Sequence, residues 1–306
     1  MALTRGYLTQ HFQGKAGGFY PALLDVAQDY LLHHLHRQNL FDLGLIFKGG
    51  TSLRKMRAGV SGRFSTDLDF CAPNEDLAGL VMDAIDNVNV PPFTYVLSDR
   101  DDDAGRATLR VTGPFGPGPA ETGPTAILIA SKVEFSPRAP WLAPQTLPFL
   151  PLRVHRSYDL DGGLPALPVV RTEEAVAEKL ARYARVGLAR DLYDLIWYGR
   201  QGAFDEAFIR RLWLLKVYQD VVFDGRWSGR RFDPATILTP RSPREIAEES
   251  IGFLTYPTDI PGWEREFRQR YCFLADLSRE DAEWALCHAG RRYEFTQTAQ
   301  ALGAAL

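Results

Sequence analysis

The stretch Lys48-Gly49-Gly50-Thr51-Ser52-Leu53-Arg54-Lys55 is followed, past a short basic segment, by Arg63-Phe64-Ser65-Thr66-Asp67-Leu68-Asp69-Phe70. The apolar run Leu43-Gly44-Leu45-Ile46-Phe47 just before it reads as a buried strand. The paired glycines read as a turn opening into a helix, and the second stretch as a strand with carboxylates at alternate positions. Side chains two apart on a strand share a face, so Asp67 and Asp69 can ligate one divalent cation. Glycines let a polyphosphate approach the backbone N–H groups of a helix start, where the dipole also favours negative charge. In this order, within one strand–turn–helix–strand unit, the two halves predict a site where a metal bridges a triphosphate and an attacking hydroxyl.

Two other phosphate-binding arrangements are excluded. Read from Gly44, the pattern G-x-x-x-x-G is followed by Gly50 where a P-loop needs lysine. No G-x-G-x-x-G fingerprint follows a strand here, which removes the dinucleotide fold.

On Gly49-Gly50 and Asp67-Leu68-Asp69-Phe70 the chain resembles the DNA polymerase β-type nucleotidyltransferase superfamily, whose signature is G-[GS] after a hydrophobic residue and then D-h-[DE]-h. Later segments narrow the resemblance. Thr172-Glu173-Glu174-Ala175-Val176-Ala177-Glu178-Lys179-Leu180, and then Arg190-Asp191-Leu192-Tyr193-Asp194-Leu195, look like the E-K-L and R-D-x-x-D helices of AbiEii/AbiGii-type nucleotidyltransferase toxins. The matching stretches run in order from about residue 45 to 200, and the last hundred residues carry no recognised motif. The resemblance implies Mg²⁺ or Mn²⁺ as cofactor, an NTP as substrate, a tRNA acceptor and a cognate antitoxin as partner.

Composition sets outer bounds. A chain of 306 residues is long enough for two domains or one large one, and 45% hydrophobic residues support real cores. Its net charge of −3 and pI near 6.1 give no global basic field, so a nucleic-acid partner needs a local basic patch. Cys71, Cys272 and Cys287 are too few and too scattered for a disulfide framework, and read as free thiols of a reducing compartment. Neither an apolar leader nor a run of about 18 apolar residues is present, so a cytoplasmic location without membrane insertion is expected.

The predicted organisation is α/β (α+β). A polymerase β-like nucleotidyltransferase domain with a small mixed sheet spans 1–155, and a mainly α-helical domain spans 156–306 and completes an active-site cleft. Residues 20–38 read as an amphipathic helix ending in His33, His34 and His36, which are expected to be solvated. Glu75 to Val88 reads as a helix, and Phe93–Ser98, Arg106–Thr112 and Thr125–Phe135 as strands, with the glycine- and proline-rich run 113–119 as a loop. On the last of these strands Lys132, Glu134 and Ser136 share a face. Polymerase β-like sites draw a third carboxylate from such a strand, which makes Glu134 the expected third metal ligand. Ser242-Pro243-Arg244-Glu245 and Ser278-Arg279-Glu280-Asp281 read as capped helix starts.

Asp67 and Asp69 are thus the expected metal ligands, and Lys48, Gly49, Gly50, Thr51, Ser52, Arg54 and Ser65 the expected nucleotide-binding residues. Arg54, Lys55, Arg57 and Arg63 are expected to face a triphosphate or RNA backbone. The sets Arg210, Arg211, Lys216 and Arg226, Arg230, Arg231 would extend a basic groove, with Trp227 as a possible base-stacking surface. In the second half Thr172 is the expected N-cap. The resemblance assigns Lys179 to the triphosphate, where an ammonium would neutralise charge. It gives at least one of Asp191 and Asp194, three apart on one helix face, a part in the site. The runner-up readings are a transferase acting on a small molecule such as an antibiotic, and a catalytically idle binding protein.

Overall fold

Eight strands form one mixed sheet: β1 (Ile46–Lys48), β2 (Asp67–Cys71), β3 (Val88–Val90), β4 (Phe93–Asp101), β5 (Arg106–Gly113), β6 (Ile127–Ser136), β7 (Gln145–Pro148) and β8 (Ala166–Val169). Their spatial order is β3-β4-β5-β6-β2-β1-β8-β7. In this computed structural model residues 3–12, 18–73, 75–114, 127–202, 205–241, 254 and 257–304 are described. The end of the loop read at 113–119, and the capping box at 242–245, lie outside those residues.

β2 pairs antiparallel with β1 and parallel with β6. One register row aligns Phe47, Phe70 and Phe135, and the next aligns Lys48, Asp69 and Glu134. The sheet alternation follows from the sequence. Leu68, Phe70, Val133, Phe135, Ala107, Leu109 and Val111 are buried, while Lys132, Glu134, Arg106 and Arg110 are exposed. On the buried face the Phe70 ring lies 5.5 Å from Phe47 and 5.7 Å from Phe135, centroid to centroid. This three-ring ladder ties the strands that carry the acidic residues, and each such pair contributes about 0.5–1.5 kcal/mol beyond its buried area.

The first unit comprises Met1–Ala139, Pro144–Val169 and Gly252–Tyr256. It also contains α1 (Arg5–Phe12), α2 (Phe19–Arg37), α3 (Gly49–Leu53) and α4 (Glu75–Ile85). Residues 156–169, read from sequence as part of the helical domain, instead supply β8 to this sheet. Helix α2 is buried nearly all round rather than on one stripe. His33 Nε2 lies 2.9 Å from the Asp161 carbonyl and His34 Nε2 3.2 Å from the Ala84 carbonyl, so neither is a solvated end.

Two acids of α2, Asp25 and Asp29, are also buried. Arg54 donates from Nε to Asp25 Oδ1 at 2.9 Å and from Nη2 to Oδ2 at 3.1 Å. It also donates to the carbonyls of Gly59 and Gly62 and lies over the Phe64 ring. Lys55 Nζ reaches Asp29 Oδ1 at 2.5 Å and Asp25 Oδ1 at 3.1 Å. His11 meets Asp25 at 2.8 Å, and Tyr158 donates to Asp29 at 2.5 Å. Burial pushes the Asp25 carboxyl up, but Arg54, Lys55 and His11 outweigh it and hold the group well below its ordinary value. The same balance, with Lys55 as the main counter-charge, holds Asp29 below its ordinary value.

The second unit comprises Pro140–Ala143, Val170–Ile251 and Pro257–Leu306. It contains α5 (Thr172–Val186), α6 (Ala189–Arg200), α7 (Glu206–Val222), α8 (Ile260–Arg270), α9 (Arg279–Ala285) and α10 (Arg292–Ala304). Helix α5 packs on α6 and α7, α6 on α8, and α7 on α9. Arg171, not Thr172, is the N-cap of α5, and it makes no side-chain cap. At α9 the reciprocal capping box forms as read, with Asp281 serving where glutamate is usual. Arg210 pairs with Asp281, Arg211 with Glu280 and Lys216 with Glu174, so these cations tie α7 to its neighbours rather than lining a groove. Trp213 and Trp227 are both buried, which removes Trp227 as a stacking surface. The three cysteines are free, and burial pushes the Cys287 thiol up to about 12.

Replacing Arg54 by Met should leave Asp25 in an apolar site without its bidentate partner. Urea unfolding should show a loss of about 3–5 kcal/mol, and a loss below about 1 kcal/mol would contradict the buried pairing. The pH dependence has a definite sign. The Asp25 and Asp29 values are depressed in the folded state, so their contribution is fully present above the ordinary value of 3.8 and is lost as pH falls below it. An Asp25→Asn chain should therefore show a flatter stability curve than wild type in that acid range.

Candidate active site

Asp67 and Asp69 stand at alternate positions of β2 on the face opposite the phenylalanine ladder, both half-buried, with Leu68 and Phe70 turned into the core. The strand register sets their neighbours. Lys48 and Glu134 flank Asp69 in one row, and Lys132 flanks Asp67 in the next. Parallel and antiparallel neighbours in register project to the same face about 4.8 Å apart, so Glu134 lies beside Asp69. It is exposed, however. Among the described residues no group of three His, Cys, Asp or Glu side chains converges as a metal site. The donor set brought together is the Asp67–Asp69 pair, with Glu134 as an outer neighbour.

The glycines are required by close approach. Gly49 has φ +79°, and a Cβ there would overlap the Asp69 carboxylate, coming within 2.8 Å of its Cγ. A Cβ on Gly50 would strike the Arg63 guanidinium and come within 3.0 Å of Ser65 Oγ. Asp69, Ser65 and Arg63 therefore press directly on the Gly49–Gly50 backbone. Arg63 is buried in this position, although sequence singled it out only as one of four neighbouring cations.

Other expected nucleotide contacts are redirected. The Thr51 hydroxyl donates to the Asp67 carbonyl at 2.5 Å, so it braces the acidic strand instead of pointing outward. Ser131 likewise donates to the Thr66 carbonyl, and Gln28 to the Ser65 carbonyl at 3.1 Å. Thr51, Ser52 and Ser65 are buried. Arg54 and Lys55 are occupied by Asp25 and Asp29 at 1–2% exposure, which removes both from any phosphate or RNA contact. The sequence gives no sign of this, because the acids that claim them lie about thirty residues upstream. Arg57 Nη2 donates to Gln145 at 3.3 Å.

The residues read from the E-K-L and R-D-x-x-D segments gather within the second unit. Lys179, only 6% exposed, donates to Asp194 Oδ2 at 2.6 Å and lies 3.9 Å from Asp191 Oδ1. Asp191 also accepts from Nε and Nη2 of Arg182. Thus α5 and α6 hold a buried cation between two buried carboxylates. Glu174, fully buried, accepts from the backbone N–H groups of Trp141 and Leu142 and from Lys216.

Comparison with known proteins gives this geometry its context. Residues 31–288 match the family described as Nucleotidyl transferase AbiEii toxin, Type IV TA system. Among solved structures, MenT4, a nucleotidyltransferase toxin from Mycobacterium tuberculosis H37Rv, is 43% identical with a TM-score of 0.88, covering 99% of this chain and 100% of its own. JHP933 from Helicobacter pylori is a distant likeness, 15% identical with a TM-score of 0.40 over 92% of this chain and 97% of its own. None of the curated proteins matches the sequence. No helix among the described residues is long and apolar enough to cross a membrane. With the family match spanning most of its length, and a 43% identical toxin matching it end to end, the chain belongs to the AbiEii family of nucleotidyltransferase toxins.

Proposed function

We propose that the chain transfers a nucleotide from a Mg²⁺-bound NTP to a hydroxyl of an RNA acceptor, a tRNA 3′ end, and thereby arrests growth until a cognate antitoxin intervenes in the cytoplasm. The observation that carries this reading is the Asp67–Asp69 pair on one face of β2, with the Gly49–Gly50 turn against it. Two carboxylates at alternate strand positions beside glycines that admit no side chain suit a hard divalent cation bound together with phosphate oxygens. Asp67 and Asp69 would hold that cation, with Glu134, in register beside Asp69, as the proposed third ligand. When bound, it supplies charge neutralisation for the phosphates and orientation of the reacting oxygens.

The chain's own groups have separate tasks. Lys48, Gly49, Gly50 and Ser52 form the backbone cradle for the β- and γ-phosphates, and Ser65 packs beneath it. The acceptor oxygen bonds to the α-phosphorus, the bond from that phosphorus to the bridging oxygen breaks, and pyrophosphate leaves while the hydroxyl proton passes to solvent. Lys179 keeps the role that the family resemblance gives it, as a cation for triphosphate charge, with Asp194 and Asp191 fixing its ammonium. MenT4 is itself described as a nucleotidyltransferase toxin, which supports the same reaction class here.

Incubation of the purified protein with Mg²⁺, each labelled NTP in turn and total tRNA should place label on RNA. Asp69→Ala should lower that transfer at least about a hundredfold, or about 2.7 kcal/mol. Full activity in Asp69→Ala would refute the assigned chemistry, and label appearing on a small molecule but never on RNA would refute the acceptor.

Lys179 requires a paired test, because Lys179→Ala alone strands Asp194 in a buried site and should destabilise the unit by about 3–5 kcal/mol. The double variant Lys179→Met, Asp194→Leu should recover much of that stability in thermal unfolding yet remain inactive. Restored transfer in the double variant would make the pair purely structural.

A further inference from the structure

With Arg54 and Lys55 buried against α2, and Arg210, Arg211 and Lys216 held by acids of the second unit, five of the cations expected to hold an acceptor are engaged elsewhere. The sheet itself offers others. The face of β2 that carries Asp67 and Asp69 continues across β6, β5 and β4 as an open, solvent-facing surface. Register defines it row by row. Asp67 aligns with Lys132, Lys132 with Thr108, and Thr108 with Ser98. The next row aligns Ala130, Arg110 and Val96, and the row after it pairs Thr112 with Thr94. Lys132, Ala130, Arg110, Val96 and Thr94 are all exposed.

The charges on this face are unevenly distributed. The acidic side chains of β2 and β6, Asp67, Asp69 and Glu134, lie in the rows of Lys132 and Arg106. Beyond Lys132, the rows of Arg110 and Thr112 contain no carboxylate on β4, β5 or β6, and Asp99, next to them, accepts from the Ser98 hydroxyl at 3.2 Å. Lys132 has no ion pair among the described residues, and Arg110 donates only to the Ser98 hydroxyl at 2.9 Å. Arg106 differs, since Asp101 holds it at 3.1 Å. Two cations without a carboxylate partner, on adjacent strands and in diagonal register about 7–8 Å apart at the backbone, form a basic track starting beside the acidic pair. Threonine hydroxyls at 94, 108 and 112 add neutral donors along it. A chain of phosphodiesters has the complementary charge, and the track ends at the residues proposed to receive its terminal hydroxyl.

We propose that Lys132 and Arg110, on the open face of β5 and β6, hold the phosphodiester backbone of the RNA acceptor and lead its 3′ hydroxyl to Asp67 and Asp69. The proposal rests on the nucleotidyl-transfer reading above, and it assigns acceptor binding to strand residues rather than to the helix after the glycine turn.

The test uses the full chain and a fluorescein-labelled tRNA transcript, with binding read by anisotropy across a NaCl series and NTP KM measured separately. Lys132→Glu with Arg110→Glu should raise the tRNA Kd at least about tenfold and flatten the log Kd against log salt slope by about 2, one per lost phosphate contact. The thermal midpoint should stay at the wild-type value because both side chains are exposed, and Arg110→Glu alone, one row farther from Asp67, should weaken tRNA binding with NTP KM unchanged. Lys132→Arg should restore binding, since a phosphate contact needs the charge. Wild-type tRNA affinity and salt slope in the double variant would overturn the proposal, as would a raised NTP KM with unchanged tRNA binding. Failure of wild type to bind tRNA would also overturn it, while transfer of nucleotide to another acceptor would leave the catalytic reading standing. Lost RNA binding in the variants, with transfer to RNA by wild type, supports both.

Discussion

The ring of Phe70, packed between Phe47 and Phe135, is the contact on which the rest of the first unit depends. It locks three strands into one register, and a strand's two faces cannot be set independently: a slip by one residue would turn Asp67 and Asp69 into the core and Leu68 and Phe70 into water. The aromatic ladder on one side therefore fixes which polar side chains meet on the other. Lys48, Asp69 and Glu134 are brought into one row by the same pairing that stacks the rings. Thr51 adds a local brace, its hydroxyl holding the carbonyl of Asp67 at the start of the strand.

A second constraint lies beneath the glycine turn. Asp25 and Asp29, one helical turn apart on α2, draw in Arg54 and Lys55 from the segment just after α3. Four charges buried together are a poor source of net stability, but leaving any one unpaired is costly. The arrangement thus specifies one seating of the glycine-turn segment over α2. The same pairing removes two cations from the surface. Arg63, pressed on Gly50, is buried as well, so the exposed positive charge nearest Asp67 comes from the sheet itself.

Much of this was legible in the sequence, and the limits have physical causes. The β2 alternation, the glycine turn and the strands β4, β5 and β6 follow from local pattern, which reports local geometry well, whereas β7 and β8 were not legible. Helix spacing put Asp191 and Asp194 on one face, and the family resemblance gave Lys179 and at least one of them a part in the site, but neither fixed the pairing of Lys179 with Asp194 or the depth of its burial. What stayed hidden was set by contacts distant in the chain. The burial of Arg54 depends on Asp25, the placement of residues 156–169 on the neighbouring strand β1, and the packing of Trp227 on Phe232. Glu134 lies between these cases, since alternation gave its face but only strand pairing gave its neighbour, Asp69.

The central claim is that Asp67 and Asp69 jointly bind one divalent cation beside the glycine turn. A crystal of the protein grown with Mn²⁺ and a non-hydrolysable NTP analogue, with anomalous scattering collected at the manganese edge, tests it most directly. The account predicts an anomalous peak at a distance of about 2.0–2.2 Å from an oxygen of each carboxylate, with phosphate oxygens completing the shell against Gly49 and Gly50. A manganese peak ligated by neither Asp67 nor Asp69, with the nucleotide bound elsewhere, would contradict it.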